Sequence, residues 1–189
     1  MSKAVMLSIR PKWAEKIVNG EKTIEVRKTR PKLDTPFKCY IYCTLPKYPH
    51  EDFIATDYPR PQFYGGGKVI GEFVCDCVTP LYNVCMDDWK RLAGGLHNIE
   101  KELANQACLT EAKLHTYAGG KNCFAWHISD LLIYDQPREL TAFRRACKNS
   151  WYCERCAMYW ENNGTCGNES LQIRHPPQSW CYVEAMKDV

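Results

Sequence analysis

Residues 8–31 read SIRPKWAEKIVNGEKTIEVRKTRP. A short apolar strand, Ala4 to Ile9, leads into this stretch. Pro11 then suits the first turn of a helix, where its missing N–H costs nothing. Trp13, Ile17 and Val18 fall at helical spacing and mark one apolar face. Asn19-Gly20 stops the helix. Beyond it KTIEVRK alternates, with Ile24 and Val26 pointing one way and Thr23, Glu25 and Arg27 the other. The local order predicted is strand, helix, turn, strand, and the second strand has one polar, charged face.

Working outward, Phe37 to Thr44 is a third strand, apolar on both faces. Residues 45–67 form a long loop rich in proline and aromatics, a length that is usually functional inside a compact domain. Its Gly65-Gly66-Gly67 run is not a phosphate loop: it lacks the G-x-x-x-x-G-K-[ST] spacing and precedes a strand. Lys68 to Val78 is the fourth strand, with Val69, Gly71, Phe73, Cys75 and Cys77 sharing one face. Residues 86–117 are helical in pieces broken by Gly94-Gly95. Asn122 to Tyr134 returns to strand composition until Gln136-Pro137. A short helix is expected over Glu139–Arg145 and a closing strand over Ser179–Glu184. Five or six short strands with few helices imply an α+β fold, a small mixed β-barrel with flanking helices.

The chain of 189 residues fits one domain, or one with a sizeable insertion. Its 45% hydrophobic and 25% charged residues are those of a soluble globular protein. No apolar run approaches the roughly 20 residues of a membrane helix, and the N-terminus is not a secretory signal. A cytoplasmic protein with no membrane partner is expected. The net charge of +3 is uneven: residues 1–32 hold nine Lys or Arg against three Glu, and the remainder is acidic on balance. One-sided basicity points to an anionic partner, although a solvated basic face has the same composition.

Four segments together resemble the ASCH domain of the PUA-like superfamily, of the type found in phage and bacterial genomes. They are residues 8–31, with the word G-x-K-[ST]-x-E-x-R, then KVIGEFVCDCVTP (68–80), FAWHISDLLIYDQPREL (124–140) and PPQSWCYVE (176–184). The resemblance implies a PUA-like barrel with a cleft beside the first helix and second strand, in which related folds hold RNA or single modified bases. Carried over by position, the cleft residues are Ser8, Lys12, Trp13, Lys22, Glu25 and Arg27, with Lys28 and Arg30 extending a basic rim. The residue chemistry agrees. Lys and Arg neutralise phosphate, Glu25 can accept from a base amino group, and Trp13 can stack a base. Trp13 equally fits a plain core position, and Glu25 with Arg27 a simple ion pair on one strand face.

Some small ASCH proteins are amidohydrolases that deacylate an acetylated cytidine through G-x-K-T-x-T, with the Lys as base and the second Thr as nucleophile. Lys22 matches that Lys, but Glu25 stands at the nucleophile position. Thr23 is expected to face away from Lys22. If the chain is an enzyme, Lys22 and Glu25 carry the chemistry. Glu100, Glu102 and Glu111 are candidates for a further carboxylate.

Twelve cysteines are many for this length. Cys39, Cys43, Cys75 and Cys77 lie in strand-like runs, where a thiol acts as a small buried hydrophobe. Cys147, Cys153, Cys156 and Cys166 differ, since their C-x5-C-x2-C-x9-C spacing centres on a C-x-x-C turn that can grip one metal. A structural zinc is expected, with an iron–sulfur cluster, free thiols or a disulfide as alternatives; Cys181 or His175 can replace one ligand. The division expected is a barrel of residues 1–146 with 174–189 and an inserted cysteine-rich knuckle at 147–173. The function expected is binding of RNA or a modified nucleoside or nucleotide in the basic cleft. The alternatives are nucleoside deacylation, or a protein-interaction module, with a host protein as partner, working through the knuckle.

Overall fold

The central strand is apolar on both faces because both are covered. In the computed structural model, which describes residues 3–48, 53–57, 62–81, 96–145, 147, 155–163 and 166–186, strand β3 (Phe37–Cys43) lies in the middle of five. Their order is β10 (Trp180–Glu184), β1 (Lys3–Ile9), β3, β6 (Lys68–Cys75) and β9 (Ser129–Glu139). The β1–β3 pairing is parallel and the others are antiparallel. On one side Val5, Leu7, Ile9, Cys39, Ile41 and Cys43 build the main core; on the other Ala4, Met6, Tyr40 and Tyr42 build a second. This matches the two-faced apolar reading of residues 37–44.

The helix α1 (Pro11–Val18) begins at its proline and turns Ala14, Ile17 and Val18 into the main core. Beyond it β2 (Ile24–Arg27) pairs with β8 (Cys123–His127), and β8 with β7 (Val78–Leu81), in a separate three-stranded sheet. Ile24 and Val26 pack in one cluster with Leu103 of the helix α2 (Leu96–Gln106), Ala107 just beyond it and Ala118 of the helix α3 (Glu111–Ala118). A two-stranded ribbon, β4 (Phe53–Ile54) with β5 (Phe63–Tyr64), forms inside the long loop, and a short helix α4 spans Ala157–Trp160. The fold is the expected mixed α+β class, but among the described residues its strands form three sheets and not one closed barrel. Among the described residues no helix is long and apolar enough to cross a membrane.

Three local expectations need correction. The 68–78 run divides into β6 and β7, and the pairing of β3 with β6 shifts between Ile41 and Tyr42. That bulge changes the phase, so Ile70, Phe73 and Cys75 share the main core while Val69 joins the second. Gly71 marks the irregular place, where any Cβ would collide with the Leu132 carbonyl of β9. The 122–134 run is likewise two strands, and β9 continues through Pro137, because the register of β6 against β9 shifts there and an edge strand tolerates a missing donor. The helix expected over 139–145 is one 3-10 turn, Leu140–Ala142. Residues 143–145 instead return to strand-like pairing with 171–173: Arg145 N–H donates to Leu171 O at 2.7 Å and Ile173 N–H to Phe143 O at 3.0 Å.

Candidate functional site

The charged face of β2 is buried. Lys22, Glu25 and Arg27 are 3%, 9% and 7% exposed, so this is not a solvated ion pair. The Lys22 ammonium lies 3.2 Å from one Glu25 oxygen, and the Arg27 guanidinium 3.0 Å from the other. Lys22 lies before the strand begins, in the turn after α1, and its Nζ also donates to the Ala107 carbonyl at 2.9 Å. Arg27 reaches across to β1, donating to the Ser8 carbonyl at 2.8 Å and to the Ser179 hydroxyl at 3.3 Å. The Ser8 hydroxyl donates to Pro177 O at 2.5 Å. The 22–27 segment is therefore tied to the first strand, to the turn after α2, and to the 177–179 segment that enters β10.

This network floors a cavity of about 660 Å³, large enough for a nucleotide-sized ligand. Ser8, Trp13, Lys22, Glu25, Arg27 and Lys28 of the residues expected from sequence all line it, but Lys12 and Arg30 do not. Lys12 is exposed and turns its ammonium over Trp13, 5.5 Å from the ring centre. Trp13 is only partly buried and contacts both the core and the cavity. Lys22 Nζ lies 5.4 Å from its ring centre, so the Trp13 face is polarised by cations on more than one side.

Tyr117 of α3 completes the wall, and the Lys28 ammonium sits 5.3 Å from its ring centre. Burial pushes the Tyr117 phenol above its ordinary pKa, with Arg27 opposing. The phenol is thus a neutral donor at physiological pH. Arg10, Leu109, Gln178 and Ser179 also line the space. None of these was named from sequence: Leu109, Gln178 and Ser179 arrive by contacts distant along the chain, while Arg10 stands inside the decisive stretch and was passed over beside Ser8 and Lys12. Among the described residues Glu25 is the one acidic side chain that lines it; Glu102 and Glu111 are not part of the wall, and Glu100 has no described side chain. Thr23 is exposed and also absent from the lining.

Residues 7–41, the strand, helix and charged strand just described, match the family model of the ASCH domain. Over this segment the chain is similar to the ASCH domain. No curated protein matches it in sequence. Among solved structures, an ASCH protein from Zymomonas mobilis is 18% identical over 96% of this chain and 87% of that one, with a TM-score of 0.48. Two mutant forms of the Zymomonas mobilis protein give TM-scores of 0.47 at 18% and 19% identity. They cover 97% and 96% of this chain, and 91% and 88% of theirs.

Away from this cleft, Cys147 and Cys166 are half-buried and Cys156 is exposed. Cys153 lies outside the described residues. Four thiols are the right chemistry for a closed zinc site, but the described residues gather no set of three or more His, Cys, Asp or Glu that could hold a metal ion.

Proposed function

We propose that this ASCH domain is a binding module for RNA or a modified nucleoside or nucleotide, acting in the cytoplasm. The observation that carries the reading is the convergence of Lys22, Glu25 and Arg27 on the floor of one cleft walled by Trp13 and Tyr117. Trp13 and Tyr117 offer flat faces for a base. Glu25, held in place by two cations, has lone pairs to accept from an amino edge. Lys28 and Arg10 supply positive charge at the same cavity.

The geometry favours binding over deacylation of the family type. The Lys22 ammonium is engaged by Glu25 and the Ala107 carbonyl, and the nearest hydroxyl in sequence, on Thr23, is outside the cleft. The paired 143–145 and 171–173 segments support treating residues 147–173 as an insertion on a domain of residues 1–146 and 174–189. The chain leaves and re-enters that domain at adjacent points.

The test is fluorescence anisotropy of labelled single-stranded RNA against wild type, Lys28→Ala and Trp13→Ala at two salt concentrations, with melting curves to confirm folding. Salt-sensitive binding weakened by both substitutions is expected. Binding that ignores salt and both substitutions would remove the cleft from the function, and capture of a protein partner that survives nuclease would favour the interaction module.

A further inference from the structure

The cleft carries more positive charge than its own carboxylate balances. Among the described residues, Arg10, Lys22, Arg27 and Lys28 line it against Glu25 alone. On the floor, two almost fully buried cations share that single carboxylate. A surplus charge in a partly dry cavity is stabilised by a ligand of opposite sign far more than the same charge in water would be.

Two further features point the same way. The Arg27 guanidinium bonds through its terminal nitrogens to Glu25, Ser8 and Ser179, but its buried Nε–H has no partner among the described residues. The first turn of α1 borders the same space through Arg10 and Trp13. That turn contains no acidic residue, and Arg10 at the N-cap makes no side-chain hydrogen bond to it. Pro11 has no N–H, and the Trp13 and Ala14 N–H groups donate to Arg10 O at 2.9 Å, so the helix offers an anion its uncompensated dipole end and not a set of free donors. A neutral nucleoside would satisfy the aromatic walls and leave this charge uncompensated. An anion without a ring would do the reverse.

Building on the binding reading above, we propose that the cleft recognises a phosphate ester seated between the first turn of α1 and Arg27. Its ligand is then a nucleotide or a nucleic-acid strand and not a free nucleoside. The phosphate of a mononucleotide and that of a strand share this chemistry, so the experiment includes both.

The full chain is titrated calorimetrically with cytidine and uridine, their 5′- and 3′-monophosphates, inorganic phosphate and a short oligoribonucleotide, at about 50 and 200 mM salt. Monophosphates are expected to bind at least about tenfold tighter than nucleosides, with the gap narrowing at the higher salt. Arg10→Ala, at an exposed position and checked for an unchanged melting temperature, is expected to narrow it further. An oligoribonucleotide that outbinds the monophosphates identifies the strand as the source, and equal binding identifies the free nucleotide; either supports the phosphate site. Nucleosides binding as tightly as their monophosphates would overturn it while leaving the cleft reading intact. Inorganic phosphate binding as tightly as the nucleotides would reduce the site to an anion hole and also overturn it. Failure of every probe to bind would remove the cleft reading as well.

Discussion

Glu25 and Arg27 sit two positions apart on one face of β2, joined at 3.0 Å, and both are withdrawn from water. In a solvated sheet such a pair contributes little, about 0–1 kcal/mol. Here the carboxylate is, among the described residues, the one counter-charge to two buried cations, because Lys22 closes on its other oxygen at 3.2 Å. Removing it leaves both without a counter-charge.

Glu25→Ala is therefore expected to destabilise the fold by about 3–5 kcal/mol, the cost of breaking a buried pair by deleting one partner. For a chain of this size that lowers the melting temperature by on the order of 10 °C. Thermal unfolding followed by circular dichroism reads it directly. A shift of no more than about a degree would show that the triad is hydrated and that burial has been misjudged.

Much of this site was legible because a short segment holds its decisive parts. Alternation placed Glu25 and Arg27 on one face, and Pro11 with Asn19-Gly20 bounded the helix that positions Trp13. Lys22 escaped the alternation rule. It precedes the strand, and its side chain finds Glu25 only because the turn is pinned, with Thr23 N–H donating to Gln106 O at 3.0 Å. Tyr117 was not legible. Its helix has weak amphipathic character, and only the packing of α3 on Ile24 and Val26 brings the ring to the cleft. The bulge in β6 did leave a trace, a glycine in the middle of a strand pattern.

Tyr117 is a wall residue open to mutation, since 39% of it is exposed. A base stacked on it gains about 1–3 kcal/mol, so Tyr117→Ala is expected to weaken RNA or nucleotide binding by roughly 5- to 150-fold. Tyr117→Phe keeps the ring and should retain most of the affinity. Anisotropy titrations of both variants decide it. Equal losses in the two would transfer the role from the ring to the hydroxyl, and no loss in either would place the ligand elsewhere.

The thiols divide sharply by environment. Burial raises the Cys75 pKa from the ordinary 9.0 to about 12, and it raises Cys39 as well, while Cys77 is exposed. At about pH 8 alkylation mapped by mass spectrometry should label Cys77 quickly and Cys39 and Cys75 only on unfolding. The sign of the pH effect follows. A thiol held protonated by the fold contributes stability that is complete below about pH 9 and is lost as pH rises towards 12. Denaturant midpoints measured across the alkaline range should therefore fall with pH. Cys75→Ala should flatten that slope, at the cost of a cavity. A slope unchanged by the substitution would assign it to other groups.

The cysteine-rich segment calls for a different measurement. Met158 and Trp160 are 49% and 66% exposed, so residues 155–163 bury little apolar surface of their own. The stem is held by backbone pairing of Arg145 with Leu171 and by an Arg144 bond to the Cys166 carbonyl. A segment of this kind gains its order from an added staple, and four thiolates supply one if they gather on a metal. We expect one zinc per chain by elemental mass spectrometry, lost in Cys156→Ser. Chelation should speed hydrogen exchange in residues 147–173 and leave β1, β3 and β6 protected, because those strands draw their stability from cores that contain none of these four cysteines. Iron in place of zinc would reassign the site to a cluster. Metal-free protein with unchanged exchange would show that the four thiols are not ligands.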